Sequence, residues 1–376
     1  MTPLARPFPQ PQTRPPVGHL GRWGTEPLDL LEEGARTGPA FALRLWRRAV
    51  VGYSPDWNRM VLRDLDTFRS AGSLSRLTPY LAGGVVRADD PAHHRQRSAL
   101  NPPFRHDALS ALRPVLTMAV RQALPTGEFD AVPWAAGVVR RLLAVAFFGG
   151  RFPEPLLAEF LAPLDRDFPA PFLRRPWLFR RMNRALARSL QVAEAGTLLA
   201  AVRDSGEDAI EQVRVALGAA YDTTAHTLAW LLWHLAARPQ PVPAAEHRQL
   251  LDETLRLYPA GWVGSRVCSR DTEFGGHLVT AGTLVLYSPY LTHRDAGLWP
   301  DPLCFRPERF ARPPAAFTFI PFAAGARRCL GMHLARLLLL TVLEVVSHER
   351  PLVQVRGEPR PRAGLTLAPS GPLVLR

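Results

Sequence analysis

Hydrophobic residues recur at helical spacing through most of this chain. The pattern predicts helices over residues 55–68, 93–125, 134–148, 155–164, 177–202, 207–237 and 244–258, and a last helix from Met332 to about Arg350. The helix over 207–237 is the longest, and its second half is strongly apolar around Trp230 and Trp233. No uninterrupted apolar run reaches the roughly 20 residues that a membrane-spanning helix needs.

Strand patterns are shorter and fewer. Alternating residues over 41–45 and 49–53 predict a hairpin with Arg47 and Arg48 at its turn. Residues 261–291 change to strand and turn character, because Gly275 and Gly276 interrupt the chain, and residues 365–376 predict a final hairpin. The expected fold is mainly α with a minor β part. Residues 1–24 predict an extended, proline-rich lead, and no linker long enough to mark a second domain divides residues 25–376.

Composition limits the class of protein. The chain has 376 residues, of which 47% are hydrophobic and 21% charged, as is ordinary for a globular enzyme. Its net charge is +13, and all 46 basic residues are arginines scattered along the chain. This charge favours acidic partners, but no helix-turn-helix, zinc-finger or RNA-binding pattern is present, so we expect no nucleic-acid partner. The three cysteines form no disulfide framework and match no zinc motif, which favours a reducing, cytoplasmic location.

One cysteine lies in a loop that suits a metal-binding thiolate. The segment reads Phe-x-x-Gly-x-Arg-x-Cys-x-Gly, from Phe322 through Gly325, Arg327 and Cys329 to Gly331, directly before the last predicted helix. The glycines permit close backbone approach and unusual dihedrals. The helix N-terminus favours a thiolate, and Arg327 can pair with a carboxylate beside the sulfur. The loop therefore suits a heme-iron ligand, with Arg327 on a propionate. The alternative is a cysteine that serves as a small buried hydrophobic residue.

This loop resembles the heme-binding loop of the cytochrome P-450 family. The resemblance implies a single P-450-type fold over residues 25–376, with a long central helix over heme b and the cysteine loop before the last long helix. It makes Cys329 the iron ligand and includes Phe322, Gly325, Arg327 and Gly331 in the heme-binding set.

Further basic residues are candidates for the heme propionates. His93 and Arg97 stand four residues apart on a predicted helix, where both can reach one anion; a solvated basic face is the common alternative. The pair resembles the family's His-x-x-x-Arg element, and Arg266 matches a further propionate-binding arginine. Partly buried propionates need several such donors.

A second family element is structural. Glu253 and Arg256 are three residues apart on one helical face, where they can pair. The resemblance adds a third partner, Arg309, from the segment Pro307–Phe310. We expect these three residues to lock the core on the cysteine side of the heme.

Polar residues interrupt the long central helix at Asp222 and Thr223. Threonine can bond back to a helix carbonyl and bend the helix, which is the structural alternative. The segment resembles the family's Ala-Gly-x-Asp/Glu-Thr pattern, although Ala220 stands where glycine is usual. The resemblance makes Asp222 the acid and Thr223 the hydroxyl that relay protons to bound dioxygen in a helix that opens over the iron.

Within the family, the chain looks most like short bacterial carotenoid β-ring hydroxylases. The similar segments are residues 74–78, 255–259 with Trp262, 284–292 and 305–310. The resemblance implies hydroxylation of a β-ionone ring at C-2 or C-3 in pigment biosynthesis. Alternatives are a fatty-acid or terpenoid hydroxylase of the same fold, including a peroxide-driven one, and a non-enzymatic heme protein. Asp222 and Thr223 favour the monooxygenase. The substrate candidates are Leu77, Ala219, Trp262 and Val263.

The expected partners are ferredoxin and ferredoxin reductase. Arg328 and Arg336 stand beside the cysteine loop and are candidates for docking an acidic ferredoxin. Residues 168–181 interleave aromatic residues with arginines, a composition that suits peripheral contact with the inner face of a membrane; an ordinary connecting loop is the alternative.

Overall fold

Helices account for most of the described chain. This computed structural model describes residues 6–13, 15–74, 83–165 and 175–376. Its α-helices are α1 (Leu20–Thr25), α2 (Pro27–Ala35), α3 (Pro55–Arg63), α4 (Gly84–Arg87), α5 (Ala92–Leu100), α6 (His106–Ser110), α7 (Arg113–Arg121), α8 (Ala131–Phe148), α9 (Glu154–Leu161), α10 (Pro176–Gln191), α11 (Leu198–Asp204), α12 (Ala209–Ala236), α13 (Ala244–Leu257), α14 (Pro289–Thr292) and α15 (Met332–Glu349).

The strands are short. They are β1 (Ala40–Arg44), β2 (Arg48–Gly52), β3 (Phe68–Arg69), β4 (Phe129–Asp130), β5 (Gly264–Cys268), β6 (Thr272–Phe274), β7 (His277–Val279), β8 (Leu284–Tyr287), β9 (Gln354–Arg356), β10 (Pro361–Ala363), β11 (Leu367–Pro369) and β12 (Val374–Leu375). The mainly α fold with a minor β part is confirmed.

Local sequence signals explain the helix boundaries. The Asp208 carboxylate caps α12 by accepting from the Glu211 backbone N–H at 3.0 Å. α8 begins after Asp130, whose carboxylate accepts from Val132 N–H at 3.0 Å, and ends at Gly149 in the left-handed conformation.

Two long predicted helices are divided. The region 93–125 contains α5, a 3-10 turn over Pro102–Phe104, α6 and α7, because prolines lack the N–H that continues a helix. The region 177–202 contains α10 and α11, which are separated by a segment with Gly196 at a positive φ of 86°. Neither break disturbs the hydrophobic period, so the period alone does not reveal it.

One five-stranded sheet has the order β1-β2-β8-β5-β3. The predicted hairpin is present as β1 and β2, with Phe41 opposite Val51. β8 pairs parallel with β2 and antiparallel with β5, so β5 begins beside Tyr287 and carries Arg266 towards the central cavity.

The hairpin predicted over 365–376 is wrong. The tail forms two strands that do not pair with each other: β11 pairs with β10, and β12 pairs with β4 and β9. Gly371 and Pro372 lie between β11 and β12 and carry the chain from one small sheet to another.

α12 runs through the main hydrophobic core, where Trp230, Leu231 and Leu232 are fully buried. α8 packs against α12. α8 is long and apolar enough to cross a membrane, but half of it is buried inside the protein and Arg140 pairs with Glu154, as suits a core helix.

The proline-rich lead packs on the body in its described part. Phe8 is 3% exposed and lies against Trp57 and His277, and His19 is fully buried. The extended character predicted for residues 1–24 therefore ends at α1.

Candidate active site

A cavity of about 430 Å³ lies between α12 and the loop that precedes α15. One wall is a stripe of α12 formed by Ala216, Ala219, Ala220 and Thr223, whose spacing places them on one helical face. The opposite wall includes Phe322 and Cys329. The cavity thus has a largely apolar helical wall on one side and the Cys329 sulfur on the other.

Backbone contacts shape the cysteine loop. The Cys329 N–H donates to the Phe322 carbonyl oxygen at 2.9 Å. Gly325 has φ +69°, and a Cβ there would lie 2.5 Å from the Leu62 carbonyl oxygen, so this position requires glycine. Gly331 differs from the expectation, because its φ is −80° and a Cβ would meet no described atom within 4 Å.

The Cys329 side chain is exposed only towards the cavity, and protein atoms surround it otherwise. Burial raises the pKa of its thiol, while the Gly331 backbone N–H and the charge of Arg97 act in the opposite direction. The loop N–H of Gly331 and the guanidinium of Arg97 on α5 are the two features that favour a thiolate.

The cationic residues predicted for the propionates converge on the same cavity. His93, Arg97, Arg266 and Arg327 all line it. Burial lowers the pKa of Arg327 and the positive charge of Arg266 lowers it next. Two guanidinium groups in one buried region favour an anion between them.

Arg266 adds a more specific observation. It is 9% exposed, and Nη1 donates to the Ser265 carbonyl oxygen at 2.8 Å, but its buried Nε finds no hydrogen-bond partner among the described residues. An unpaired buried guanidinium N–H is costly, and a carboxylate of a bound cofactor would satisfy it.

The other predicted propionate donors have contacts within the protein. Arg327 Nη2 is 2.9 Å from Asp89 Oδ1, and Arg97 Nη1 donates to the Arg328 carbonyl oxygen at 3.0 Å. Burial, with Arg327 next, lowers the pKa of His93 to about 4, so His93 is neutral at pH 7. Asp89, which also accepts from Ser70 N–H at 2.8 Å, connects the propionate donors to the preceding loop.

Asp222 lies behind the cavity wall, not on it. It is 1% exposed, and Oδ2 accepts a hydrogen bond from Thr366 Oγ1 at 2.8 Å. His226 Nδ1 lies 2.6 Å from Thr366 Oγ1 and 3.4 Å from Asp222 Oδ1. Burial raises the pKa of Asp222 to about 7, although the Thr366 hydrogen bond and the charge of Arg362 act against the rise.

Thr223 faces the cavity from an unbroken helix. Its Oγ1 donates to the Ala219 carbonyl oxygen at 2.8 Å, the back-bond that was the structural alternative. The helix predicted to open over the iron is continuous from Ala209 to Ala236. Ala220, which replaces the usual glycine, lines the cavity beside Thr223.

The structural triad is assembled and buried. Arg256 donates from Nε and Nη2 to the two Glu253 oxygens at 2.7 and 2.8 Å, and Arg309 Nε lies 3.2 Å from Glu253 Oε1. His293, for which the sequence suggested no role, is fully buried beside them. Its Nδ1 lies 3.2 Å from the Arg256 carbonyl oxygen, and its Nε2 accepts from Ile320 N–H at 2.9 Å. His293 thus connects α13 to the loop that leads to Cys329.

The substrate candidates separate into three groups. Ala219 and Val263 line the cavity. Trp262 does not: it packs on Trp23 with ring centroids 5.5 Å apart, and its Nε1 donates to the Gly364 carbonyl oxygen at 3.0 Å. Leu77 lies outside the described residues.

Sequence comparison decides the family. The family model described as "Cytochrome P450" matches residues 247–370, which include the Glu253 triad and the cysteine loop. The chain belongs to the cytochrome P-450 superfamily. It is therefore a P-450 monooxygenase, and its cofactor is heme.

Relatives extend the match over nearly the whole P-450 chain. A cyclooctat-9-en-7-ol 5-monooxygenase and a cyclooctatin synthase, both of Streptomyces melanosporofaciens, are 27% and 26% identical. The alignments cover 95% and 94% of this chain and 90% and 92% of the relatives. Cytochrome P-450 3A12 of Canis lupus familiaris is 31% identical over 44% of this chain and 39% of its own length. None of these three is named a carotenoid hydroxylase, so that finer resemblance is unsupported.

The described residues fit a heme. When bound, heme supplies the iron at which dioxygen is activated. Cys329 would hold the iron from the side opposite α12. Arg266, with its unpaired Nε, and the neighbouring Arg327, Arg97 and His93 would receive the propionates.

Sequence reasoning missed four polar residues of this site. His226 follows Asp222 by one helical turn, and Gln212 lies on the cavity stripe of α12, so helical spacing alone could have found both. Asp89 stands beside the Asp90 that opens the His93 segment. Thr366 had no sequence signal, because only the folded tail brings it to α12.

Proposed function

We propose that this P-450 hydroxylates an apolar substrate of the terpenoid class. The observation that carries the proposal is the cavity itself, which places the Cys329 sulfur opposite an α12 wall of alanines, with Thr223 at the wall and Asp222 directly behind it. Apart from Gln212, a few hydroxyl side chains that include Thr223, and the propionate donors, its lining is largely apolar, as a hydrocarbon skeleton requires.

The relatives support the same class. The name of one relative gives an alkenol, cyclooctat-9-en-7-ol, as the molecule it oxidises. Carotenoids are long members of the terpenoid class, so β-ring hydroxylation at C-2 or C-3 stays a prediction within this proposal.

Asp222 and Thr223 have assigned roles in this proposal. With its pKa near 7, Asp222 can hold a proton on a carboxyl oxygen and release it at physiological pH. His226, Thr366 and Asp222 form a continuous hydrogen-bonded row. When each hydrogen bond in this row reverses its direction, a proton moves along the row to Asp222. Thr223 presents its hydroxyl oxygen in the cavity as the next acceptor, and the apolar wall excludes bulk water.

The assignment of Cys329 is tested by the carbon-monoxide difference spectrum of the reduced protein. The wild type should give the long-wavelength Soret peak of a thiolate-bound heme, and Cys329→Ala should lose it. Cys304→Ala, which alters the exposed free cysteine, is the matched control and should keep the peak. A thiolate spectrum in Cys329→Ala would overturn the assignment.

The substrate class is tested by product analysis. Purified enzyme with a ferredoxin system should oxidise cyclic C20 terpenes and leave a C16 fatty acid unchanged, including when hydrogen peroxide replaces the electron donors. A β-ring carotenoid in the same panel tests the longer member of the class. Peroxide-driven oxidation of the fatty acid alone would favour the alternative that Asp222 and Thr223 argue against.

Thr223 is tested through the use of electrons. Thr223→Ala should retain the heme spectrum but divert reducing equivalents to hydrogen peroxide, because the hydroxyl acceptor is lost. The ratio of product to NADPH consumed measures this effect. An unchanged ratio would contradict the proton-relay role.

The electron donors proposed here are ferredoxin and its reductase. Arg328 is exposed beside the cysteine loop. Burial is the main cause that lowers the pKa of His333, and the charges of Arg328, His106 and Arg336 lower it further. These four residues therefore share one basic face. Arg336, however, forms an ion pair with Asp252 at 2.5 Å, which leaves Arg328 as the freer docking charge.

We also propose a cytoplasmic enzyme that touches a membrane through the start of α10. Residues 168–174 lie outside the described part, but Trp177 is 58% exposed and is followed by exposed arginines at 180, 181, 184 and 188. Phe179 is turned inward against Phe160, with ring centroids 5.4 Å apart. Trp177 and the arginines suit an anionic headgroup layer.

Vesicle co-sedimentation tests this contact. The wild type should bind vesicles that contain anionic lipid, and Trp177→Ser should bind them more weakly. Trp46→Ser, which removes another half-exposed tryptophan at the β1–β2 turn, is the control. Equal binding by both variants, or no binding by the wild type, would exclude the contact.

A further inference from the structure

Gln212 is a buried polar residue at one end of the cavity. It lies in the first turns of α12, is 4% exposed and lines the cavity. Its Oε1 accepts a hydrogen bond from the Val85 backbone N–H at 3.2 Å. Because a backbone N–H can only donate, this contact fixes which end of the amide is oxygen. The other end, Nε2, is buried and finds no hydrogen-bond partner within the described part of the chain.

The amide is held in place from the α4 side. Gly84 has φ +54°, and a Cβ at this position would lie 2.5 Å from Gln212 Oε1. Glycine therefore lets the backbone of α4 close onto the side chain. With its oxygen bound to Val85 and its face against Gly84, the amide presents Nε2 in one direction.

Between Gln212 and Thr223 the residues of α12 that line the cavity are apolar. Gln212, Ala216, Ala219 and Thr223 follow one another at spacings of three or four residues, so they lie along one face of α12. The 11 residue steps from Gln212 to Thr223 span about 16 Å of helix. Gln212 is thus a single fixed donor at the far end of the wall that ends at the proposed reaction position.

An unpaired buried donor costs free energy, so we expect a bound ligand to supply the missing hydrogen-bond acceptor. The propionate donors come from α5, β5 and the cysteine loop, whereas Gln212 belongs to the α12 wall that faces the substrate. We propose that Gln212 Nε2 donates a hydrogen bond to an oxygen of the substrate. The substrate is then an apolar molecule that already carries one acceptor oxygen, as hydroxyl, ether or carbonyl, roughly 10 Å or more from the carbon that reacts. This inference rests on the proposed monooxygenase function and narrows its substrate class.

The test uses matched ligands whose oxygen differs. The first series is geranylgeraniol, its methyl ether and the hydrocarbon with methyl in place of the oxygen group; the second is hexadecanol, its methyl ether and heptadecane. The spin-state shift of the ferric Soret band gives each dissociation constant. Wild-type protein should bind the alcohol and the ether about tenfold more tightly than the hydrocarbon in at least one series, because both oxygens accept a hydrogen bond.

The variant Gln212→Met keeps the length of the side chain and removes the donor. It should weaken binding of alcohol and ether about tenfold and leave the hydrocarbon unchanged. Gln122→Met, an exposed glutamine on the end of α7, is the control and should change none of the constants. If the variant does not fold, the wild-type comparison of ether with hydrocarbon still decides the question.

The outcomes separate the two proposals. Oxygen-dependent binding of only the hexadecanol series would keep the Gln212 donor and overturn the terpenoid class. Three results would overturn the Gln212 donor. They are equal binding of all the ligands by the wild type, a Gln212→Met variant that loses affinity for the alcohols but not for the ethers, and no binding in either series. If Gln212→Met changes the rate of heme loss but not the ligand selectivity, Nε2 contacts the cofactor, and the proposed hydrogen bond to the substrate is overturned.

Discussion

The Thr366 hydroxyl donates a hydrogen bond to the Asp222 carboxylate at 2.8 Å, although 144 residues separate them in the chain. Thr366 follows β10 in the C-terminal tail, and Asp222 is near the middle of α12. The contact places a polar side chain of the tail directly behind the wall of the active site. It also opposes the effect of burial on the acidity of Asp222.

The first prediction concerns this contact. Thr366→Val should raise the pKa of Asp222 further above its usual range, because it removes the hydrogen bond that favours the carboxylate. The pH optimum of product formation should move upward and more peroxide should form, while the thiolate heme spectrum stays unchanged. Thr341→Val, which removes a buried hydroxyl bond to Leu337 within α15, is the control. An identical pH profile in Thr366→Val would refute the relay.

The second prediction concerns stability against pH. Because the folded-state pKa of Asp222 lies near 7 and the unfolded value near 3.8, the folded protein binds the extra proton between these values. Stability should therefore fall as pH rises from about 4 to 7 through this group. Asp222→Asn should remove this slope and stabilise the protein above pH 7, by at most ~4 kcal/mol.

Urea unfolding of wild type and Asp222→Asn at pH 5 and pH 8 measures the difference. The two proteins should differ more at pH 8 than at pH 5. Stability differences that are equal at both pH values would show that Asp222 titrates normally. Activity should be lost in the variant, since asparagine holds no transferable proton.

The third prediction concerns acid sensitivity. His234 stacks on Phe305 with ring centroids 3.8 Å apart, and burial lowers its pKa to about 3. Unfolding exposes an imidazole that binds a proton below pH 6.5, so this group makes stability fall as pH drops from 6.5 towards 3. His234→Phe should keep the stack and shift acid unfolding, followed by circular dichroism, to lower pH. An unchanged midpoint would contradict the assignment. His348→Phe, at an exposed position of α15, is the control.

The fourth prediction concerns electron transfer. Reduction by an acidic ferredoxin should slow as ionic strength rises, and Arg328→Ala should reduce both the rate and its salt dependence. Arg36→Ala, which removes the same charge at the end of α2, should leave both unchanged. Stopped-flow reduction under carbon monoxide measures the rate. Equal salt dependence in Arg328→Ala and wild type would place the docking surface elsewhere.

Much of the fold could be predicted from the sequence because its signals are local. The β1–β2 hairpin and α12, α13 and α15 follow from hydrophobic period and from flanking glycine and proline. The tail could not be predicted, because tertiary contacts determine the pairing of short strands such as β12, which here pairs with β4 and β9.

The site divides in the same way. Cys329 and Arg327 lie within one short motif, and Glu253 and Arg256 lie one helical turn apart, so their spacing indicated them, whereas the family resemblance added Arg309. The hydrogen bond from Thr366, the clamp of Gly84 on Gln212 and the inward packing of Trp262 depend on distant segments that meet only after folding. The family resemblance included Trp262 among the substrate candidates, whereas Trp262 packs against Trp23 and does not line the cavity.

The position of Thr366 has a consequence for divergence among related enzymes. Two chains with identical cysteine loops and identical Asp-Thr pairs can differ in the acidity of that aspartate if their C-terminal tails differ. Substitutions in this tail would then adjust the coupling of electrons to product while leaving heme affinity untouched. Selection acting on catalytic efficiency would then act on a tail segment that lies outside both the cysteine loop and the Asp-Thr pair.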